Sequence, residues 1–237
     1  RDYHRIDGDA WVATWPGDWE TLQPVTTVHT YENRVARSRG TYRYPEVDPS
    51  KTPVFGYPKE YSYDMSSVGC SDSEPSQWKG SLEIDKINAA LGASKKVRIW
   101  VLIWEGPTSR QVALDQEAYW KGGNKNEIVI CVNVKSRRDP EVLWCHVFSW
   151  SKSESLKTAI KSFVAIDNRK LDLAALALFL EPAIESGWEM RNWHDFDYLS
   201  VEPPTWAMVM IWVLAILASA SSSVYCVLNG VDPEEDL

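Results

Sequence analysis

The sequence predicts an α/β fold: a parallel or mixed sheet with helices on both faces, preceded by a β-rich irregular N-terminal region and followed by one transmembrane helix. Three observations lead there. Apolar runs of strand length, such as "VRIWVLIW" and "EIVICVNV", show no polar alternation, and strands of that kind are covered on both faces. Helix-periodic segments lie between and after those runs, which is the pattern of helices packed on a sheet. The stretch "TWAMVMIWVLAILASASSSVYCVL", Thr205 to Leu228, has no charged residue in a chain of formal net charge -8.

Residues 1–78 come first. The segment "TTVHTYENRVARSRGTYRYPEVDPSKTPVFGYPKEYSY" alternates side chains between turn signals, as short strands do. Pro45, Pro49, Pro53 and Pro58 recur too often for long central strands, so this region is expected to supply edge strands or an extended arm across a partner. The Ser-rich stretch "SVGCSDSEPSQW" is the boundary candidate.

The α/β domain is expected over 79–202. Helix "SLEIDKINAALGA" leads to strand "VRIWVLIW", helix "SRQVALDQEAYWKG" to strand "EIVICVNV", and a third apolar run, "VLWCHVFSW", follows. Two helices close the domain. In "SESLKTAIKSFVAI", Ser153 caps a stripe of Leu156, Ile160 and Phe163, and Asp172 opens the more apolar "LDLAALALFLEPAIESGW".

The span is expected over 203–229, with an acidic tail at 230–237. Crossing a hydrocarbon core of about 30 Å takes roughly 20 apolar residues at about 1.5 Å each. Pro203-Pro204 suits a helix start. Trp206 and Trp212 are placed to anchor one interface and Tyr225 the other. A helix buried in a soluble core is usually amphipathic, whereas this one is apolar or small all round. Ala215, Ser219 and Ser223 recur every four residues and make a face on which a second helix can pack closely. The expected partners are therefore the membrane and other membrane-protein subunits or further copies of this chain. The chain begins at Arg1 rather than Met, which fits an upstream signal peptide or earlier span and favours an extracytoplasmic main domain.

Composition narrows the function classes. With 25 Lys+Arg against 33 Asp+Glu, the chain cannot neutralise a phosphate backbone, and no nucleic-acid partner is expected. Cys70, Cys131, Cys145 and Cys226 form no CxxC pair. Cys131 and Cys145 lie in two strand-like runs and could be neighbours, with buried free thiols expected in preference to a bridge.

At "VALDQEAYWKGGNKNEIVICVNV", a helix carrying Ala113, Leu114 and Trp120, a Gly-rich turn and an apolar strand follow one another. This arrangement resembles the TPM domain family over about residues 80–200, and "VRIWVLIW" matches that family's earlier strand in position. The resemblance implies an α/β domain outside the membrane beside a transmembrane segment. Some members are similar to metal-binding acid phosphatases, which implies a divalent cation as the cofactor of an alternative, enzymatic reading. Where the family reads Asp-Asn-Gly, this chain has Lys125-Asn126-Glu127, so only Asn126 carries over. A lysine at the aspartate's place repels a metal.

Four clusters are candidates for chemistry. His194, Asp195 and Asp197, in "RNWHDFDYL", are metal-ligand types within four residues, although a juxtamembrane linker explains them as well. Asp7 and Asp9 flank Gly8 but lack the further ligands of a calcium loop, so a turn is expected. Gly122-Gly123 is expected as a helix C-cap and turn. In the run Arg34, Arg37, Arg39 and Arg43, strand alternation puts several arginines on one face, suited to an acidic partner or lipid headgroups. His146 is expected to be a satisfied core histidine, and no nucleophile motif is visible. The expectation is a non-catalytic, membrane-anchored interaction or assembly protein, presenting some of its 13 tryptophans at an interaction surface and requiring no cofactor. An enzyme should instead gather Asp7, Asp9, Asp195 or Glu127 in one polar cleft.

Overall fold

The computed structural model describes residues 4–7, 27–30, 44–57, 66–123, 126–166, 169–189, 195, 198, 203 and 205–229. The chain divides into two units, Arg1–Glu32 with Tyr42–Asp195, and Asn33–Thr41 with Phe196–Leu237.

In the first unit, β1 (His4–Asp7) pairs antiparallel with β2 (Thr27–Thr30), His4 opposite Thr30. The rest of the expected β-rich region before residue 44 lies outside the described residues. The main sheet runs in the order β3 (Val68–Cys70), β4 (Arg98–Glu105), β5 (Glu127–Val134), β6 (Val142–Ser149). The first three strands are parallel and β6 is antiparallel to β5, so the sheet is mixed. Helix α1 (Ser81–Lys95) links β3 to β4, and α2 (Gln111–Tyr119) links β4 to β5. Helices α3 (Glu154–Val164) and α4 (Leu173–Gly187) follow β6.

The alternation of side chains along each strand builds two different cores. Ile99, Val101 and Ile103 of β4, with Ile128, Ile130 and Val132 of β5, point to an aliphatic face. There Ile84 and Leu91 of α1, Leu156 and Ile160 of α3, and Leu176 and Leu180 of α4 cover them. Trp100, Leu102 and Trp104 of β4, with Val129 and Cys131 of β5, point to the opposite, aromatic face. That side is covered by Val112 and Ala113 of α2, by Trp120, and by the extended segment that carries Phe55 and Tyr57. Both strands are apolar without a break over Ile99–Trp104 and Ile128–Val132 because both faces are dry.

Steps β3 to β4 and β4 to β5 run the same way across the sheet, yet α1 covers one face and α2 the other. The two crossovers therefore have opposite hands, and one departs from the right-handed rule that parallel connections usually obey.

Local signals fix the helix ends. Asp172 caps α4, its carboxylate accepting from the N–H groups of Ala174 at 2.9 Å and Ala175 at 3.1 Å. Ser153 does stand at the N-cap of α3, but its hydroxyl makes no capping bond and donates instead to the carbonyl of Gly187. That bond ties the start of α3 to the end of α4. Helix α1 begins at Gly80, where φ is +95° and a Cβ would lie 2.3 Å from the backbone nitrogen of Ala174. Only glycine fits there. The boundary candidate "SVGCSDSEPSQW" contains β3 and the short 3₁₀ turn Pro75–Gln77.

The second unit contains α5 (Thr205–Asn229), 25 residues of mean hydropathy 2.0 over its most apolar window.

Candidate functional site: an uncovered apolar helix and two faces of the sheet

Helix α5 is about 37 Å long at 1.5 Å per residue, enough for a hydrocarbon core of about 30 Å. None of its most apolar window is buried, and its large apolar side chains range from 40% exposed at Met208 to 81% at Val227. A helix from the core of a soluble protein would be mostly covered. Trp206 and Tyr225 are both exposed and lie about 28 Å apart along the axis, with Trp212 about 9 Å inward from Trp206. Ala215, Ser219 and Ser223 share one face and are all exposed. Ser223 Oγ donates to the carbonyl of Ser219 at 2.9 Å, so its hydroxyl is satisfied within the helix. At the far end, Asn229 Nδ2 donates to the carbonyl of Tyr225 at 2.8 Å.

The α/β domain uses its tryptophans internally. Trp78, Trp100, Trp104 and Trp120 are buried, so these four do not form an interaction surface. On the aromatic face, Trp104 and Trp120 grip the segment around Phe55. Gln116, fully buried, accepts from the Phe55 N–H at 2.6 Å and donates to the Phe55 carbonyl at 3.2 Å. Trp120 Nε1 donates to that same carbonyl at 2.8 Å, and Trp104 Nε1 to the carbonyl of Pro53 at 2.7 Å. The Phe55 ring meets Trp104 edge-on at 4.9 Å, and Tyr57 meets Trp120 at 5.1 Å. The described part of the proline-punctuated segment, 44–57, expected as edge strands or an arm across a partner, has a turn at 48–52 followed by extended chain that lies on its own sheet and joins no strand among the described residues.

Glu127 lies at the amino end of this face with no exposure. Its Oε1 accepts from Tyr57 Oη at 2.7 Å and from Trp100 Nε1 at 3.1 Å. Its register partner Arg98, also buried, stacks over the Trp100 ring at 4.5 Å. Gly122 and Gly123, with φ of +78° and +77°, form the expected turn after α2: the Gly122 N–H donates to the Glu117 carbonyl and the Gly123 N–H to that of Trp120.

His146 has a charged partner that the sequence did not reveal. Its Nε2 lies 2.7 Å from Glu117 Oε2, joining β6 to α2. The register places it beside Cys131, whose thiol is pushed well above its ordinary range by burial and by the neighbouring Cys145 and Glu117. A thiol held protonated is a poor nucleophile. Cys145 lies on the other face and is pushed up to about 12 by burial. Both are free thiols.

The remaining sequence candidates fall as follows. Asp195 pairs with Lys152 Nζ at 2.9 Å. His194 and Asp197, the other members of that cluster, lie outside the described residues, as do Asp9, Lys125, Arg34, Arg37, Arg39 and Arg43 and the tail 230–237. Among the described residues, no group of three His, Cys, Asp or Glu side chains is placed to hold a metal ion. Of the acids that an enzymatic reading would bring together, Glu127 is enclosed by aromatic rings and Asp195 is ion-paired at the surface.

One open depression lies at the carboxyl ends of the parallel strands. It measures about 270 Å3 and is lined by Asp72 and Ser73 after β3, Glu105 at the end of β4, and Arg137 and Arg138 after β5. Asn133, buried near the end of β5, donates to the carbonyls of Trp104 and Gly106 at 2.9 and 2.8 Å and so ties β5 to the end of β4.

Comparison of the chain with protein-family models, with curated proteins and with solved structures finds no match.

Proposed function

We propose that the protein is a membrane-anchored, non-catalytic interaction or assembly component, with α5 spanning the bilayer and the α/β domain on the extracytoplasmic side. The observation that carries the reading is the bare apolar surface of α5. Large apolar patches on soluble proteins rarely exceed a few hundred Å2, and side chains this exposed along 25 residues would cost on the order of 20 kcal/mol in water. Lipid removes that cost. The face of Ala215, Ser219 and Ser223 supplies the contact for a neighbouring span, because small side chains let two helices approach closely. The resemblance to TPM domains is in keeping with a domain held outside the membrane, and burial of Glu127 under Tyr57 and Trp100 favours a structural role for that carboxylate over a catalytic one.

Mild-detergent extraction followed by native electrophoresis tests the assembly. The chain should migrate with further copies or other membrane subunits, and Ala215→Leu with Ser219→Leu should release it as a monomer. Protease protection in sealed vesicles tests the side. A monomeric chain that turns over phosphate esters with a divalent cation would support the phosphatase reading instead.

A further inference from the structure

Helix α4 is apolar on the side turned away from the sheet as well as on the side that packs. Leu173–Leu180 contains no polar residue, and a helix apolar all round is ordinarily covered all round. On the inner side Leu176, Leu180 and Ile184 enter the aliphatic core, with α1 packed on one flank and α3 on the other. The outer side has no cover among the described residues. Ala174, Leu178, Glu181 and Glu185 follow one another at the four- and three-residue steps of a single helix face. Leu178 is 75% exposed there, and both glutamates are exposed. Beside it Phe179 stacks on Phe163 of α3 at 4.2 Å, and the Arg169 guanidinium lies over the Phe163 ring at 3.8 Å. Apolar and aromatic side chains with a stacked arginine are the composition that interface centres favour.

Charge along this face runs from positive to negative. Arg169, just before α4, donates to the Phe163 carbonyl at 2.7 Å and forms no ion pair among the described residues. Glu181 and Glu185, in the second half of the helix, form none either. Between them, Asp172 is committed to capping α4, and Lys170 to Asp139 at 3.1 Å. A face with a base at one end, acids at the other and an apolar centre is complementary to itself turned end for end, which is what a two-fold axis does. In an antiparallel crossing at that centre, Leu178 of each copy lies over Ala174 and Ala175 of the other, and Glu181 of each comes toward the other's Arg169. Anionic lipid headgroups, by contrast, would meet Glu181 and Glu185 with charge of the same sign.

We infer that the outer face of α4 is a contact between two copies of this chain, related by a two-fold axis. The inference rests on the membrane-anchored reading. One leucine, two alanines and a stacked aromatic pair fall short of the roughly 800 Å2 per partner that a stable complex in solution needs. Confinement of the chains to one membrane supplies the effective concentration that makes up the difference.

The test is cross-linking of the full chain in its membrane with a short homobifunctional maleimide. The background carries Cys70→Ser and Cys226→Ser, which leaves only the buried Cys131 and Cys145. Adding Leu178→Cys should give a covalent dimer that the background chain does not give. Glu181→Arg should then cut the dimer about threefold or more, because symmetry turns two attractive pairs repulsive at once. Glu46→Arg, the same change of charge at an exposed position off this face, should leave the yield unchanged. No dimer, an adduct with a different protein in its place, or equal yields from the Glu181→Arg and Glu46→Arg chains would overturn the inference. Leu178 and Glu181 are exposed, so neither variant disturbs the core. Flotation of the same membranes keeps the two readings apart: a chain that floats without cross-linking overturns the contact alone, and a chain that stays soluble overturns the anchor and the contact with it.

Discussion

Replacing Gln116 with leucine should free the segment around Phe55 from the aromatic face while leaving the rest of the sheet intact. Gln116 is fully buried and makes both of its bonds to one residue's backbone, accepting at 2.6 Å and donating at 3.2 Å. Leucine fills a similar volume but offers no polar atom. The Phe55 carbonyl keeps Trp120 Nε1 as a donor at 2.8 Å, so its loss is partial. The Phe55 N–H keeps no other acceptor among the described residues. A net hydrogen bond is worth about 1 kcal/mol and an orphaned buried donor costs about 1–3 kcal/mol, which together give about 2–3 kcal/mol. Opening of the segment should then become roughly 30–150 times more frequent. Hydrogen exchange at residues 53–57 reads this directly, with β4 and β5 amides as the internal reference. A double-mutant cycle with Phe55→Ala should show strong non-additivity, since both changes release the same segment. Exchange at 53–57 that rises less than about threefold, or strictly additive effects, would refute the view that Gln116 clamps this segment.

Three further outcomes follow from the same geometry. In the native protein, Cys131 and Cys145 should resist thiol reagents until denaturant is added, because burial holds both thiols protonated; labelling of either under native conditions, followed by mass spectrometry, would contradict it. Asp85 is raised from its ordinary value of 3.8 chiefly by burial, with Ser67 and Arg98 opposing. Just above pH 3.8 the folded chain therefore holds a proton that the unfolded chain has released, so stability falls as pH rises through that window; Asp85→Asn should flatten this slope in denaturant titrations. Gly80→Ala should destabilise the α/β domain by about 3 kcal/mol or more, since a Cβ would meet Ala174 and Leu173 backbone atoms where φ is +95°; a thermal midpoint close to that of the parent would refute it.

Much of the sheet was legible because its chemistry is one-dimensional. β4 and β5 declare themselves as apolar runs, α3 as a helical stripe of Leu156, Ile160 and Phe163, and α4 as an apolar helix behind the Asp172 cap. β3 did not, being three residues inside a Ser-rich stretch that reads as a linker. Its pairing with β4 supplies what its own sequence lacks. Cys131 and Cys145 were rightly suspected as neighbours on adjacent strands, but the two-residue period of a strand turns their side chains to opposite faces and leaves both free. The aromatic segment was legible as extended chain and not as a cover, since its hydrogen bonds run to side chains more than 50 positions away. His146 and Glu117 meet only through the register of β6 against β5 and the position of α2. The depression at the carboxyl edge is still less visible, because residues far apart in the chain line it.

The account rests on α5 lying in lipid, and flotation of cell membranes tests that most directly. The full chain should float with the membranes and stay there through alkaline carbonate, and a chain lacking 205–229 should remain in the soluble layer. Recovery of the full chain as a monodisperse soluble protein without detergent would contradict the account.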